Sequence, residues 1–128
     1  MQACRELAWK TADGLRVAAR YWPAASPWAV CCIHHGLGEH GGRYKAVASA
    51  LCAAGIHVLA FDARGHGRTE GPRFDAPSYE HLRADLQLAL EQARQQADHD
   101  MPLVLLAHSW GGGVAASLLL HQPDAVSM

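Results

Sequence analysis

The sequence predicts an α/β fold: a mostly parallel sheet with helices on both faces and an antiparallel opening hairpin. Three observations lead to this prediction. Two strand-like runs flank an Asp-Gly pair near the amino terminus, later apolar runs of strand length alternate with helical patterns, and glycine-rich loops follow three of those runs. Alternating strands and helices imply right-handed crossovers between parallel strands. With 128 residues, 50% of them hydrophobic, the chain is predicted to be a single domain over residues 1–128.

The opening hairpin is predicted from residues 5–9 and 15–22, which lie on either side of Asp13-Gly14. An Asp-Gly pair readily adopts the positive φ angles that tight hairpin turns require. After a connector that contains two prolines, residues 28–34 form a continuous apolar run, and residues 56–61 repeat its composition. Runs of this kind are typical of strands that are covered on both faces, so a buried parallel pair is expected.

Two amphipathic helices are predicted from apolar residues at helical spacing. The first has its apolar face on Tyr44, Val47, Ala48 and Leu51 and ends at Gly55. The second extends from about residue 78 to residue 96, with Asp85 among the polar residues that point away from its apolar face. That face comprises Tyr79, Leu82, Leu86, Ala89, Leu90 and Ala93.

A serine stands between the last predicted strand, residues 103–106, and the last predicted helix. Ala107 and Gly111, two positions on either side of Ser109, are small enough for the sharp turn of a nucleophile elbow, G-x-S-x-G, with alanine in the first glycine position. The turn would place the Trp110 amide at a helix start, where free donors and the helix dipole favour negative charge. An ordinary helix cap is the structural alternative, since serine is a common N-cap.

Two further loops follow strands and carry polar residues, at residues 34–44 and 61–73. Together with residues 107–113 they resemble the α/β-hydrolase superfamily, and more narrowly its monoacylglycerol lipase, lysophospholipase and serine aminopeptidase group. Members carry H-G-x-G-E-H-x-x-R-Y, D-x-R-G-H-G-x-S-x-G-x-R and G-H-S-x-G-G, which occur here in the same order. Ala107 replaces the first glycine of the elbow, and Thr69 stands where the second motif has serine. Neither replacement removes a reacting atom.

The resemblance implies that Ser109 is the nucleophile and that the backbone N–H groups of Leu37 and Trp110 form an oxyanion hole. Such amides stabilise the negative charge that develops in acyl transfer. His35 and His108 are interpreted as structural, His35 bonded within its own loop and His108 directed away from the elbow. No cofactor and no metal is expected.

The residues after the nucleophile supply no triad acid or base in the expected places. In this family the chain order is Ser, Asp, His, and the later candidates here are Asp124 and His121. His121 lies twelve residues beyond Ser109, about 18 Å at helical rise, so it cannot be the base. The chain is therefore interpreted as a partial domain without its later strands, lid, acid and base. It is expected to be inactive alone and prone to aggregation through an exposed apolar edge at residues 103–106.

The leading functional hypothesis is a serine hydrolase of carboxylic esters, of the monoacylglycerol or lysophospholipid type, acting through an acyl-enzyme on Ser109. Other acyl-transfer activities on the same fold, those of a thioesterase, peptidase or acyltransferase, remain alternatives. A third hypothesis is a non-catalytic remnant that acts as a binding module. The expected partner is a small-molecule acyl ester, while peripheral contact with a lipid surface and the oligomeric state stay open.

Composition excludes several other classes of function. The 11 Lys and Arg residues balance 12 Asp and Glu residues, which argues against a nucleic-acid-binding surface. The amino terminus lacks a signal-peptide core and no apolar run is long enough to cross a bilayer, so a cytoplasmic location is expected. The four cysteines and nine histidines show no metal-ligand spacing, and the cysteines are expected to be reduced.

Overall fold

The computed structural model describes residues 3–128, so residues 1 and 2 of the predicted 1–128 domain lie outside the described part. It contains three α-helices, which are α1 (Lys45–Ala53), α2 (Tyr79–Gln95) and α3 (Trp110–His121), and a short 3-10 helix, Gly41–Tyr44. The five strands are β1 (Arg5–Lys10), β2 (Arg16–Trp22), β3 (Ala29–His34), β4 (Ile56–Phe61) and β5 (Leu103–Ala107).

All five strands form one sheet in the order β1-β2-β4-β3-β5. The β1–β2 and β2–β4 pairs are antiparallel, whereas β3 pairs in parallel with both β4 and β5. The predicted hairpin closes through Gly14, whose φ is 93°. Because β3, β4 and β5 run in the same direction, the loops after them lie at one edge of the sheet, where open α/β sheets bind ligands.

Helices cover both faces of the sheet, and the predicted fold class is confirmed. Helix α1 covers one face through Ala48 and Cys52, which pack with inward residues of β3 and β4. Helices α2 and α3 cover the opposite face, where Leu86, Leu90 and Leu118 belong to a second buried cluster. The sheet therefore lies between two layers of helix. The edge at the carboxyl ends of β3, β4 and β5 is formed by loops.

Three residues depart from the predicted helix faces. Val47 is 39% exposed because α1 turns Ala48 and Cys52 toward the sheet instead. Tyr79, at the start of α2, is 51% exposed. Asp85 is only 7% exposed, and its burial is stabilised by two hydrogen bonds from the Arg64 guanidinium. A charge pattern along a helix cannot predict such a partner, because it comes from a distant loop.

Strand β5 lies at the edge of the described sheet, and its outer side is partly covered. The Ser127 N–H donates to the Leu103 carbonyl at 2.8 Å, and the Leu105 N–H donates to the Met128 carbonyl at 2.8 Å. Leu103 is buried, and the following residues of the strand are half-buried. The exposed apolar edge expected at residues 103–106 is thus corrected to a partly covered one.

The cysteines of the described chain are all free, with Cys4 exposed and Cys31, Cys32 and Cys52 buried. Burial raises the pKa of the Cys31 thiol to about 11, so this side chain is uncharged at neutral pH. Within residues 3–128, no helix has the length and apolar character that a membrane crossing requires.

Candidate active site

Ser109 occupies a sharp turn between β5 and α3. Its φ is 55° and its ψ is −116°, so it lies outside the helix that begins at Trp110. Positive φ is unusual for a residue with a side chain and is tolerated where the surrounding structure enforces it. The Ser109 side chain makes no cap hydrogen bond to α3 and is exposed. The geometry is that of the predicted elbow and differs from an ordinary serine cap.

Gly111 allows α3 to approach the end of β3 closely. A Cβ at this position would lie 2.6 Å from three atoms, which are the Nδ1 and carbonyl oxygen of His34 and the carbonyl oxygen of His35. Such distances are too short for any side chain, so glycine is required here. The requirement explains one of the two small residues that the sequence pattern singled out.

The loop after β3 lies directly beside the elbow. The His108 N–H donates to the His34 carbonyl at 3.1 Å, and a Cβ on Gly36 would lie 3.3 Å from the His108 carbonyl oxygen. Leu37, the next residue, is 58% exposed. Within residues 3–128, the amides of Leu37 and Trp110 donate no hydrogen bond to another protein group. The loop that carries Leu37 therefore contacts the turn that carries Ser109, and the Leu37 and Trp110 amides are both unengaged.

Glu39 links this loop to the elbow, which the sequence did not reveal. Its Oε1 accepts hydrogen bonds from the Gly36 N–H at 2.7 Å and from the Tyr44 hydroxyl at 3.0 Å. A third bond, 3.1 Å long, comes from Nδ1 of His108. The Gly36 amide is the main reason that the pKa of the Glu39 carboxyl falls to about 2. The first motif contains this glutamate, but the motif alone does not indicate which residues Glu39 bonds to.

His35 is buried and uses both ring nitrogens. The Ala63 N–H donates to its Nε2 at 2.9 Å, which leaves the proton on Nδ1 to donate to the Gly36 carbonyl at 2.7 Å. Burial lowers the pKa of this imidazole and keeps it neutral. The bond within its own loop agrees with the interpretation of His35 as structural, and the bond to Ala63 adds a connection to the second loop.

Asp62 and Thr69 hold the second loop against the sheet. The Asp62 carboxylate accepts from the N–H groups of Gly41 at 2.7 Å and Arg68 at 3.0 Å. The Thr69 hydroxyl donates to the Asp62 carbonyl at 2.6 Å and accepts from the Ala18 N–H at 2.9 Å. A serine hydroxyl could make the same two bonds, so threonine preserves the interactions at the position where the motif departs.

Arg64 anchors the same loop from beneath. Its guanidinium forms paired hydrogen bonds with the carboxylates of Asp85, on α2, and Asp13, in the β1–β2 turn. Arg64 is only 4% exposed. Paired bonds between a planar guanidinium and a carboxylate fix both position and orientation. Arg64 therefore fixes the second loop against α2 and the β1–β2 turn.

An aromatic cluster packs against the elbow from the second loop. The His66 ring stacks on Trp110, with centroids 5.3 Å apart and planes 21° apart. Phe74 also packs on the His66 ring, with centroids 5.0 Å apart, and its side chain is 58% exposed. Its φ is 58°, the second positive value at a residue other than glycine among those described. No sequence signal marked Phe74, because its strain arises from the path of the folded loop.

The structure brings the loops of Leu37 and Trp110 together around Ser109 but does not bring His121 to them. The His121 Nδ1 donates to the Ser117 carbonyl at 2.8 Å, one turn back along α3. Asp124 follows the end of α3 and is exposed. These two later residues therefore do not form a triad with Ser109.

Comparison with known proteins gives matches that cover nearly all of the chain. The family model described as serine aminopeptidase, S33, matches residues 25–128. The monoacylglycerol lipase of Mycolicibacterium smegmatis is 41% identical over 121 residues, covering 89% of this chain and 41% of that protein. Human monoglyceride lipase is 35% identical over 113 residues, covering 88% of this chain and 37% of that protein.

A solved structure agrees with these matches. The thermostable carboxyl esterase of Bacillus coagulans, in complex with glycerol, aligns with a TM-score of 0.87 and 25% identity. The alignment covers 99% of this chain and 43% of the esterase. The chain thus spans about two-fifths of the length of these three proteins.

Proposed function

The chain belongs to the serine aminopeptidase (S33) family of α/β-hydrolases, and from this membership we propose that it carries the nucleophile of a serine hydrolase of carboxylic esters. The proposed substrate is a monoacylglycerol or a lysophospholipid-like ester. The names of the two lipases that match this chain at 41% and 35% identity support this class. Residues 1–128 are proposed to form one partial domain of the fold.

The observation that carries the proposal is the turn at Ser109. Its positive φ places Ser109 outside α3, and the amides of Leu37, in the adjoining loop, and Trp110, the next residue, have no acceptor among residues 3–128. The bonds from His108 to His34 and to Glu39 hold the two loops against each other. Preorganised donors of this kind stabilise an oxyanion without reorganisation during the reaction.

In the proposed reaction, Ser109 Oγ attacks the ester carbonyl carbon while a general base takes the hydroxyl proton. The carbonyl oxygen becomes an oxyanion, which the N–H groups of Leu37 and Trp110 stabilise. Collapse of the tetrahedral intermediate breaks the bond to the alcohol, which leaves with the proton returned by the base. Water then attacks the acyl-enzyme, the base again takes and returns a proton, and the carboxylic acid is released.

The general base is not proposed among the histidines of this chain. Both ring nitrogens of His35 are engaged, the His108 ring bonds to Glu39 through Nδ1 and makes no hydrogen bond to Ser109 within residues 3–128, and His121 lies about 18 Å along α3 from Ser109. A serine hydroxyl without a base is a weak nucleophile. We therefore propose that the 128-residue polypeptide alone has little or no turnover.

Active-site labelling with a fluorophosphonate tests the proposal. The protein purified from its natural source should be labelled at the peptide that contains Ser109, and a Ser109→Ala variant expressed in the same cells should lose the label. Ser49→Ala, which changes an exposed serine of α1, is the matched control and should keep it. Absence of labelling in both the unchanged protein and the control would favour a non-catalytic binding module. Hydrolysis of monoacylglycerol, lysophospholipid and acyl thioester by the labelled form then separates the substrate classes.

A further inference from the structure

A cavity of about 530 Å³ lies on the face of the molecule where α2, α3 and the end of β1 meet. Leu118, one of its lining residues, is nine residues beyond Ser109, a rise of roughly 13 Å along the helix. The cavity is therefore distinct from the elbow. Its volume falls in the range of about 300–1,000 Å³ that is usual for small-molecule sites.

The lining combines apolar and cationic groups. Leu88 and Ala84 contribute apolar surface, and Arg83, Lys10 and His121 contribute basic side chains. No aspartate or glutamate is among the described residues that line it. An apolar pocket with basic groups and no acidic ones is complementary to a molecule with an apolar body and an anionic head.

Arg83 is positioned without a carboxylate partner. Its NH1 donates to the Ser117 hydroxyl at 3.0 Å, while the carbonyl of the same serine accepts from His121 at 2.8 Å. Within residues 3–128, Arg83 forms no salt bridge and no other hydrogen bond. A guanidinium has five N–H donors arranged as a planar fork that suits a carboxylate. Arg83 thus retains donors for an external anion.

Gln87 provides a second, independent observation. Gln87 lines the same cavity, and its Oε1 is buried without a hydrogen-bond partner among the described residues. A buried polar atom without a partner costs free energy, so a ligand that bonds to this amide would gain affinity. A change of side-chain rotamer that turns the amide toward the cavity lets its NH2 group donate to a carboxylate there.

We propose that this cavity binds a long-chain carboxylate, with the carboxylate on Arg83 and Gln87 and the alkyl chain on Leu88 and Ala84. The site depends on its own lining and requires no turnover at Ser109. It goes beyond the proposed function, in which a carboxylic acid is a product released at a different place. The ligand is a free fatty acid rather than a membrane surface, because the site is a cavity with few cations.

Isothermal titration calorimetry with laurate, below the micellar concentration, of the protein purified from its natural source tests this site, and the variants are expressed in the same cells. Saturable binding of laurate at one site is expected. 1-Dodecanol, which lacks the charge, and acetate, which lacks the alkyl chain, should each bind at least tenfold more weakly. Arg83→Gln should weaken laurate at least tenfold. Arg94→Gln changes an exposed arginine of the same helix outside the cavity and should bind laurate as the unchanged protein does.

Further outcomes separate this site from the elbow and from misfolding. Leu88→Gln should weaken laurate while leaving the far-ultraviolet circular dichroism unchanged, and Ser109→Ala should bind laurate normally. The proposal is overturned if Ser109→Ala abolishes binding, if Arg83→Gln folds and binds with unchanged affinity, or if dodecanol binds as tightly as laurate. Failure of laurate binding leaves fluorophosphonate labelling of Ser109 unaffected, so the two proposals fail separately.

Discussion

The imidazole of His108 and the carboxylate of Glu39 are joined by a hydrogen bond of 3.1 Å between Nδ1 and Oε1. His108 immediately precedes Ser109, and Glu39 accepts from the amide that precedes Leu37. One carboxylate therefore bonds both to the loop after β3 and to the residue before Ser109. The contact fixes the position of the first loop relative to the turn that carries Ser109.

The stability of the folded chain at acid pH should depend on the hydrogen bonds that the Glu39 carboxylate accepts. The pKa of this carboxyl falls from 4.5 to about 2 in the folded chain, so its contribution is complete above pH 4.5 and is lost as pH falls through 2. We expect Glu39→Gln to lower the urea midpoint at pH 7 and to reduce its decline between pH 5 and 2. Urea denaturation across that range measures both effects.

Glu91→Gln, on the exposed side of α2, is the matched control and should retain the acid decline of the unchanged chain. An identical decline in Glu39→Gln would show that the Glu39 carboxylate does not contribute to acid stability.

Two glycines in the first turn of α3 should respond oppositely to alanine. In Gly111→Ala the new Cβ would lie 2.6 Å from three atoms of His34 and His35, and we expect the free energy of unfolding to fall by about 1–3 kcal/mol or more. At Gly113 the nearest atom is the Tyr79 hydroxyl oxygen at 3.8 Å, so Gly113→Ala should be neutral or stabilise the helix by up to about 1 kcal/mol. Thermal and urea denaturation of both variants checks this contrast, and equal effects would contradict the close packing at Gly111.

The Thr69 hydroxyl should be required for stability, whereas the Thr69 methyl group should not. Thr69→Val keeps the shape but leaves the Asp62 carbonyl and the Ala18 N–H without their buried partner, which should cost about 1–3 kcal/mol. Thr69→Ser can make both bonds and should lie within about 1 kcal/mol of the unchanged chain. Denaturation midpoints decide the point, and a stable Thr69→Val would mean that water satisfies both groups.

The elbow could be predicted from sequence because its requirements are local. A turn this sharp needs small residues at fixed offsets, and Ala107 and Gly111 satisfy them in the sequence itself. The hairpin and the parallel strands were predictable for a similar reason, since turn chemistry and apolar runs are properties of short segments.

The remaining features depend on contacts between distant segments. Asp85 is buried only because Arg64 reaches it from a loop 21 residues earlier, and no helical pattern contains that information. Phe74 adopts positive φ because its loop doubles back on Gly65, whose carbonyl accepts from the Phe74 N–H at 3.2 Å. The bond between His108 and Glu39 joins residues 69 positions apart. Contacts of this kind form only when the folded sheet brings loops from distant parts of the sequence together.

The 128-residue polypeptide expressed by itself should associate or lose fixed packing. On its outer side β5 is bonded by Ser127 and Met128, and residues 104–106 are half-buried. Leu120, near the end of α3, is 83% exposed. Unpaired strand edges and exposed apolar side chains both promote association. We expect early elution in size-exclusion chromatography, binding of the dye ANS and a broad thermal transition.

Leu120→Gln should reduce this association without lowering stability, because the side chain has little protein contact to lose. Leu118→Gln, two residues earlier, replaces a side chain that is 2% exposed and should instead unfold the chain. Chromatography together with near-ultraviolet circular dichroism separates these effects. A soluble monomer with a sharp cooperative melt would contradict the expectation, because it would mean that the contacts from Ser127 and Met128 suffice to protect the edge of β5.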